Sequence, residues 1–480
     1  MNEITPIARD SEVEKKALAW MEDPLEALGM SNTAIHSVER DEAEAVQLAA
    51  FNIRLEQRRQ QIETLEKLAS SQNFTQAATL DDAAEVLFTH DVYKSYPASL
   101  LAKQKFGRLT KWLSRLTTVD LSGFDASGCE SIDDWLLKLR ADTALDVATS
   151  SGTSGTMSFF PKTAKDYLTS VRMLRLQLTQ QWGETYSREH FDESYHVLTP
   201  FYNDGFSTVA RLPHYFHDVF CKGDPELLHT ALPYRASADL MYLAARVKQA
   251  QSKGDTSRID VPESILARRG EWEKLQAEMP GLQSDFIRSM VPQLEGERVL
   301  ALGITVMFYE IAKAGLEAGG RANFAPGSAV VGGGGGKGVK LPDNVDDVIC
   351  DFFGVDSVRG SYGMSEQNFY CNSCEVGHYH VHPWVAVLLL DPDSGKPMPR
   401  SGQQTGRASF FDPTQDGAWG GIISGDRITV DYEPCECGRT SLHIHKQIMR
   451  FAELTGEDDK ITCAATPQAQ DDALGFLTTL

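Results

Sequence analysis

Thr149-Ser150-Ser151-Gly152-Thr153-Ser154-Gly155-Thr156-Met157-Ser158-Phe159-Phe160-Pro161-Lys162 is the stretch on which the reading of this chain turns. It follows the apolar run Ala144-Leu145-Asp146-Val147-Ala148, so a strand is expected to run into a loop dense in glycine, serine and threonine. Gly152 and Gly155 permit positive φ and a close approach of the backbone to a ligand. Successive N–H groups, with the hydroxyls of Ser150, Ser151, Thr153, Ser154 and Thr156, then form a set of donors for phosphate oxygens. No Gly-Lys-Ser/Thr closes the loop, so it is not a Walker-type phosphate loop. Composition alone fits a solvated Ser/Gly loop equally well, and the segments that follow must decide.

The chain has 480 residues, enough for two or more domains or for one large α/β domain with a small appendage. Acidic residues outnumber basic ones by 67 to 46, a formal charge of −21, which argues against a nucleic-acid partner but not against a single nucleotide. No basic-then-apolar leader opens the chain and no apolar run approaches a membrane span, so a cytoplasmic enzyme is expected. The 8 cysteines are too sparse for a disulfide scaffold, and four of them fall in two close pairs, which points to metal.

Residues 1–75 read as a helical extension. From Asp41 to Ser70, Leu48, Phe51, Leu55, Ile62, Leu65 and Ala69 share one helical face, which must lie on the main domain or on another copy of the chain. A helix is expected from Ala98 to Leu116 and another from Asp166 to Gln181, the latter with its N-terminus near the phosphate loop. Tyr195 to Leu198 reads as a short strand opening into an aromatic turn over Thr199 to Phe206. Residues 225–300 read as mostly helical, and Arg298 to Val306 as an apolar strand followed by a helix to Ala318.

Ala329-Val330-Val331 ends a strand, and Gly332 to Gly336 then make five consecutive glycines before Lys337. Such a run is costly in chain entropy and makes sense where backbone must lie against a ligand, as ligands do at strand C-termini in open α/β sheets. In Tyr362-Gly363-Met364-Ser365-Glu366, Tyr362 offers a face for a base, Ser365 a hydroxyl and Glu366 a carboxylate for Mg²⁺. Ile422-Ile423-Ser424-Gly425-Asp426 reads as a strand ending in a turn whose carboxylate suits ribose hydroxyls.

Taken in order, Ser151 to Thr156, Gly332 to Gly336, Tyr362 to Glu366 and Ser424 to Asp426 resemble the adenylate-forming acyl synthetase superfamily over roughly residues 145–463. Within it, Tyr362-Gly363-Met364-Ser365-Glu366-Gln367 and Cys374-Glu375-Val376-Gly377-His378-Tyr379-His380 look most like the acyl-protein synthetase of bacterial luminescence. Cys435-Glu436-Cys437-Gly438-Arg439-Thr440 resembles an element shared with phenylacetate–CoA ligases. The resemblance implies an α/β fold of packed β-sheets with flanking helices over 76–455, an extra helical N-terminus, and a hinge remnant over 456–480 with the mobile C-terminal domain truncated or absent. It further implies that Ser151, Gly152, Thr153, Ser154, Gly155 and Thr156 hold the phosphates of ATP. Gly333, Gly334, Gly335 and Tyr362 would flank adenine, Ser365 and Glu366 would serve the phosphates and Mg²⁺, and Asp426 the ribose. The implied reaction is attack of a fatty or aryl carboxylate on the α-phosphate, giving acyl-AMP and pyrophosphate. That step needs two anions screened from each other and no general base, because the nucleophile is already ionised.

Three departures accompany the resemblance. Ser158 stands where the phosphate loop usually ends in a basic residue, leaving open whether Lys162 substitutes. The hinge reads Gly456-Glu457-Asp458-Asp459 without its usual arginine, and the chain stops at Leu480, short of a catalytic C-terminal domain. Cys463 lies where the luminescence enzyme carries an acyl-accepting cysteine, so either a thiolate acceptor or an incidental cysteine fits there.

Cys371, Cys374, His378, His380, His382, Cys435 and Cys437 supply more soft ligands than one Zn²⁺ needs, with the three histidines at period two expected on one side of a strand. Cys374, Cys435 and Cys437 with His378 or His380 are expected to form a closed, structural zinc site, and His380 is the preferred fourth ligand. The resemblance thus implies an acyl-AMP-forming ligase that passes the acyl group to a protein thiol. A conventional acyl- or aryl-CoA ligase and a catalytically idle relative acting as a binding partner are the alternatives. The amphipathic N-terminus suggests a partner or homodimer contact.

Overall fold

The computed structural model describes residues 11–151, 156–183, 191–252, 261–333, 341–451 and 454. Its strands are β1 (Phe88–Thr89), β2 (Ala148–Ser151), β3 (Met157–Phe160), β4 (His196–Asp204), β5 (Leu228–Arg235), β6 (Val299–Ile304), β7 (Ala329–Gly333) and β8 (Val358–Gly363). They continue as β9 (Tyr370–Asn372), β10 (Tyr379–His380), β11 (Ala386–Leu390), β12 (Gln403–Phe411), β13 (Gly421–Asp431), β14 (His443–Ile444) and β15 (Met449–Arg450). Six form one sheet in the order β5-β4-β6-β7-β8-β9, parallel except for β9 at the edge. Its central strands are apolar runs such as Val299-Leu300-Ala301, buried on both faces under the crossover helices Thr208–Val219, Thr305–Glu317 and Val345–Phe353. A second, mainly antiparallel sheet runs β10-β14-β13-β12-β11, with β1 and β15 added to β13.

The two sheets share a core. Phe369 and Tyr362, from the end of the first sheet, meet Phe410 of β12 at ring separations of 5.0 and 6.3 Å. The N-terminal helices close the outer side of that core. Phe51 sits edge-on against Phe411 at 4.9 Å and Trp419 at 5.6 Å, while Gln47, Arg54 and Arg58 donate to the carbonyls of Pro383, Pro413 and Gln415. The apolar face read from Asp41 to Ser70 therefore lies on its own chain's antiparallel sheet. The single helix expected there is two, Arg40–Arg59 and Glu63–Ser71, hinged where Ile62 buries between them.

Other elements correct the sequence reading. The helix expected over Ala98–Leu116 divides into Ala98–Ala102 and Phe106–Leu113, because Gln104 between them is left-handed at φ 52°. The aromatic turn expected after Leu198 is strand: β4 continues to Asp204 and keeps Phe201 and Tyr202 buried. The mostly helical stretch 225–300 contains β5, an edge strand that tolerates Pro233 because its outer side needs no ladder bond. Ser424-Gly425-Asp426 does not end a strand; β13 runs on to Asp431.

Candidate active site and metal centre

The strands on either side of the phosphate-loop candidate, β2 and β3, pair antiparallel. Ser150 pairs with Ser158 and Ser151 with Met157. Gly152, Thr153, Ser154 and Gly155 lie outside the described residues, as does the side chain of Ser151; Thr156 stands half-buried at the hairpin root. The hairpin is anchored by Thr149 N, which donates to Phe206 O at 2.6 Å, and by a bridge to Ser207. Phe206 and Ser207 follow β4 directly, so the β2–β3 pair meets the carboxyl edge of the parallel sheet, where open α/β sheets bind ligands.

At that edge, Thr208 opens a helix whose N-cap is Ser207, and its hydroxyl donates to Ser365 Oγ at 2.9 Å. Ser365 and Glu366 follow β8. The Lys162 ammonium is committed rather than free for phosphate: it donates to Gln367 O at 2.9 Å and Asn368 Oδ1 at 3.0 Å. Burial lowers its pKa, against the pull of Asp166, Asp412 and Glu366. Asp166, which caps the Ala164–Thr179 helix with Thr163, accepts from Asn368 Nδ2 at 2.6 Å, Asp416 N at 2.8 Å and Gly417 N at 3.0 Å. The hairpin, the Glu366 segment and the 412–417 loop are thus locked into one block. Sequence reasoning missed Asp166 and Asn368, whose only local signal was the Thr163–Asp166 capping box.

Glu366 is half-buried, and burial followed by the nearby Asp426 charge pushes its carboxyl upward, with Arg450 and Lys162 opposing. Tyr362 is only 7% exposed, and its hydroxyl donates to Asp426 Oδ2 at 3.0 Å. Arg450 of β15 lies opposite Asp426, Nε to Oδ1 3.8 Å. Tyr362 therefore orients Asp426, while its ring packs between Phe369, Phe410 and Tyr379. Of the glycine run, Gly332 has a reason within the chain, since a Cβ there would stand 2.5 Å from Thr305 Oγ1. Gly333, ending β7, meets nothing closer than 3.9 Å; Gly334 and Gly335 lie outside the described residues, as does Cys463. Tyr202 lines a cavity of about 440 Å³ with Tyr234, Trp272 and Met279, whereas Phe201 and Phe206 are core residues.

The cysteine and histidine set comes together. One donor atom from each of Cys374, His380, Cys435 and Cys437 lies within 4.8 Å of all the others. Two equivalent turns present the thiols: Cys374-Glu375-Val376-Gly377 and Cys435-Glu436-Cys437-Gly438. In each, the glycine is left-handed (φ 86° and 90°) and donates to the carbonyl of the first cysteine at 2.9 Å. His380 Nε2 is 3.3 Å from Cys437 Sγ, and its Nδ1 bonds Ser441 Oγ at 3.0 Å, leaving Nε2 for a metal. Ser441 Oγ in turn bonds His36 Nδ1 at 3.0 Å, so the N-terminal helices reach this cluster. Arg439 donates to Cys437 Sγ at 3.1 Å and pairs with Glu375.

Burial, with Arg439 and His443 adding to it, holds His380 down at about 3, which keeps the imidazole in the neutral form a metal requires. Burial also pushes the Cys435 thiol up to about 12, a balance that a divalent cation reverses in favour of the thiolate. His380, not His378, completes the four-donor set. The expected three-histidine strand face fails because only Tyr379–His380 is strand, and His382 turns away to pack on Trp384. Cys371 is buried apart from the group.

The architecture is similar to that of a solved CoA ligase, and the likeness is one of fold. Matching solved structures include 2-hydroxyisobutyryl-CoA ligase in an open conformation with 2-HIB-AMP and CoA, at 12% identity and TM-score 0.50, over 87% of this chain and 71% of the other. The same ligase in its postadenylation state matches at 11% identity and TM-score 0.48, over 86% and 69% of the two chains. MatB from Rhodopseudomonas palustris with bound ATP gives 16% identity and TM-score 0.31, over 63% of this chain and 47% of that one, so the match spans about half of MatB. No protein-family model matches the sequence, and no curated protein does. No helix among the described residues is long and apolar enough to cross a membrane.

Proposed function

We propose that the chain activates a carboxylic acid with ATP and Mg²⁺ to an acyl-adenylate and passes the acyl group to a thiol. The observation that carries this reading is the convergence at one sheet edge of the hairpin root, the Thr208 helix N-terminus, Ser365–Glu366 and the Tyr362–Asp426 pair. In this reading Ser151 to Thr156 and Ser365 receive the phosphates and Gly333 to Gly335 with Tyr362 border the base. Asp426, aimed by Tyr362, takes the ribose, and Glu366 carries Mg²⁺. Lys162 acts by holding the backbone behind Glu366. The division into a helical extension over 1–75, a catalytic core over 76–455 and a hinge remnant beyond belongs to the same proposal, as does a cytoplasmic location.

We further propose that Cys374, His380, Cys435 and Cys437 hold a structural Zn²⁺ that fastens the segment after β9 to the turn after β13. A protein thiol, with Cys463 as the candidate within the chain, is the proposed acceptor. CoA is the second reading, favoured by the fold match to a ligase solved with CoA. Incubation with radioactive acid and ATP, with and without CoA, tests the acceptor: label on the protein that Cys463→Ser removes supports the first reading, and CoA-dependent thioester release supports the second. Failure of every acid to promote ATP–pyrophosphate exchange would favour a non-catalytic binding role.

A further inference from the structure

Beside the Cys374–His380–Cys435–Cys437 set lies a second group of donors that the reading above does not use. Asp431, at the end of β13, is the register partner of His443 on β14, and His445 follows two residues later. Ile444 between the two histidines is fully buried and pairs with Tyr379, so His443 and His445 both project from the opposite face of the strand. Their rings lie parallel at 5.7 Å, and His378 stacks on each at 4.6 Å. One donor atom from each of Asp431, His443 and His445 lies within 4.8 Å of the other two.

Two features make this group more than a polar corner of a sheet. His443 is only 3% exposed, and its Nδ1 has no hydrogen-bond partner among the described residues; His445 Nε2 is likewise buried and unpartnered. Unsatisfied buried ring nitrogens are uncommon and costly, and each such group calls for an explanation.

We propose that Asp431, His443 and His445 form a second metal site, for a divalent first-row transition ion of the zinc class. Two imidazoles and a carboxylate suit such an ion better than Mg²⁺ or Ca²⁺, which prefer oxygen donors. Ligand distances of about 2.0–2.2 Å from a common centre would draw closer three donors that already lie within 4.8 Å of one another. Three protein ligands leave a coordination position open, so this ion exchanges with solution whereas the neighbouring four-donor site is closed. His378, whose Nδ1 is 3.5 Å from Cys435 Sγ, forms the wall between the two sites.

The test is equilibrium dialysis of the full-length protein against Co²⁺, with absorption spectra recorded at saturation. Two equivalents are expected, one with thiolate-to-metal charge-transfer absorption and one without. Asp431→Asn with His445→Gln is expected to lose one equivalent and keep the charge-transfer band; near-ultraviolet circular dichroism verifies that the fold is intact. Cys437→Ser is expected to alter the band and leave the other equivalent bound. Saturation of the unaltered protein at one equivalent that carries the charge-transfer band overturns the proposal. So does retention of two equivalents, or loss of both, in the folded double variant. A missing charge-transfer band with one equivalent still lost in that variant would sink the cysteine site and leave this one standing.

Discussion

Glu366 faces the hardest electrostatic problem in the cleft, a carboxylate near Asp426 with limited access to water. Under the proposed function, its raised pKa means that a proton competes with Mg²⁺ for this carboxylate. As pH falls toward and through that raised pKa, above the ordinary 4.5, the KM for Mg·ATP is expected to climb, and Glu366→Gln is expected to abolish this dependence. Pyrophosphate exchange by Glu366→Gln should drop roughly hundredfold, in line with loss of one preorganised electrostatic group. Its Tm should hold or rise slightly, since the ionised side chain is disfavoured by burial. Tyr362→Phe removes one hydrogen bond to Asp426, worth about 1 kcal/mol, and should raise the KM for ATP about fivefold without unfolding the core. Sequence spacing made Tyr362, Ser365, Glu366 and Asp426 visible as candidates. It did not show that Tyr362 bonds Asp426, nor that Lys162 serves Gln367 and Asn368, because those partners lie 64, 205 and 206 residues away.

Local patterns foretold some elements and misled on others. Apolar runs with a single period, such as Val299–Ile304 and its following helix, were legible. The segment Leu228–Arg235 was not, because His229, Thr230 and Pro233 break any apolar alternation, and only pairing with β4 makes it a strand. That pairing sets His196 Nδ1 3.0 Å from His229 Nε2, one ring donating and the other accepting. Burial, then the neighbouring His196, holds His229 down at about 4, so the folded protein binds fewer protons than the unfolded chain. Stability from this pair is full above pH 6.5 and is lost as pH falls toward 4, and urea midpoints across that range should decline less in His229→Gln. The close pairs Cys371–Cys374 and Cys435–Cys437 pointed to metal, although Cys371 stands apart from the cluster; the His36–Ser441–His380 chain was not legible, since it joins residues 405 positions apart. Removing its far end with His36→Ala should speed loss of Zn²⁺ to a chelator by about 10- to 100-fold.

At the scale of the whole molecule, the N-terminal helices, the antiparallel sheet and the cysteine cluster form one brace behind the carboxyl edge of the parallel sheet. The brace holds β13, and with it Asp426, opposite Tyr362 at the end of β8. Stripping the proposed Zn²⁺ should therefore lower the Tm by several degrees and weaken the proposed ATP binding. The α/β class was readable from the chain. The two-sheet layering was not, because strands as short as Tyr379–His380 and His443–Ile444 acquire their identity only from each other. The most direct test of the central claim is ATP–pyrophosphate exchange by the purified full-length protein across alkyl and aryl carboxylic acids. Exchange that requires an acid and Mg²⁺ and collapses in Glu366→Gln is the predicted result; acid-independent exchange, or none with any acid in a folded, metal-replete protein, would contradict it.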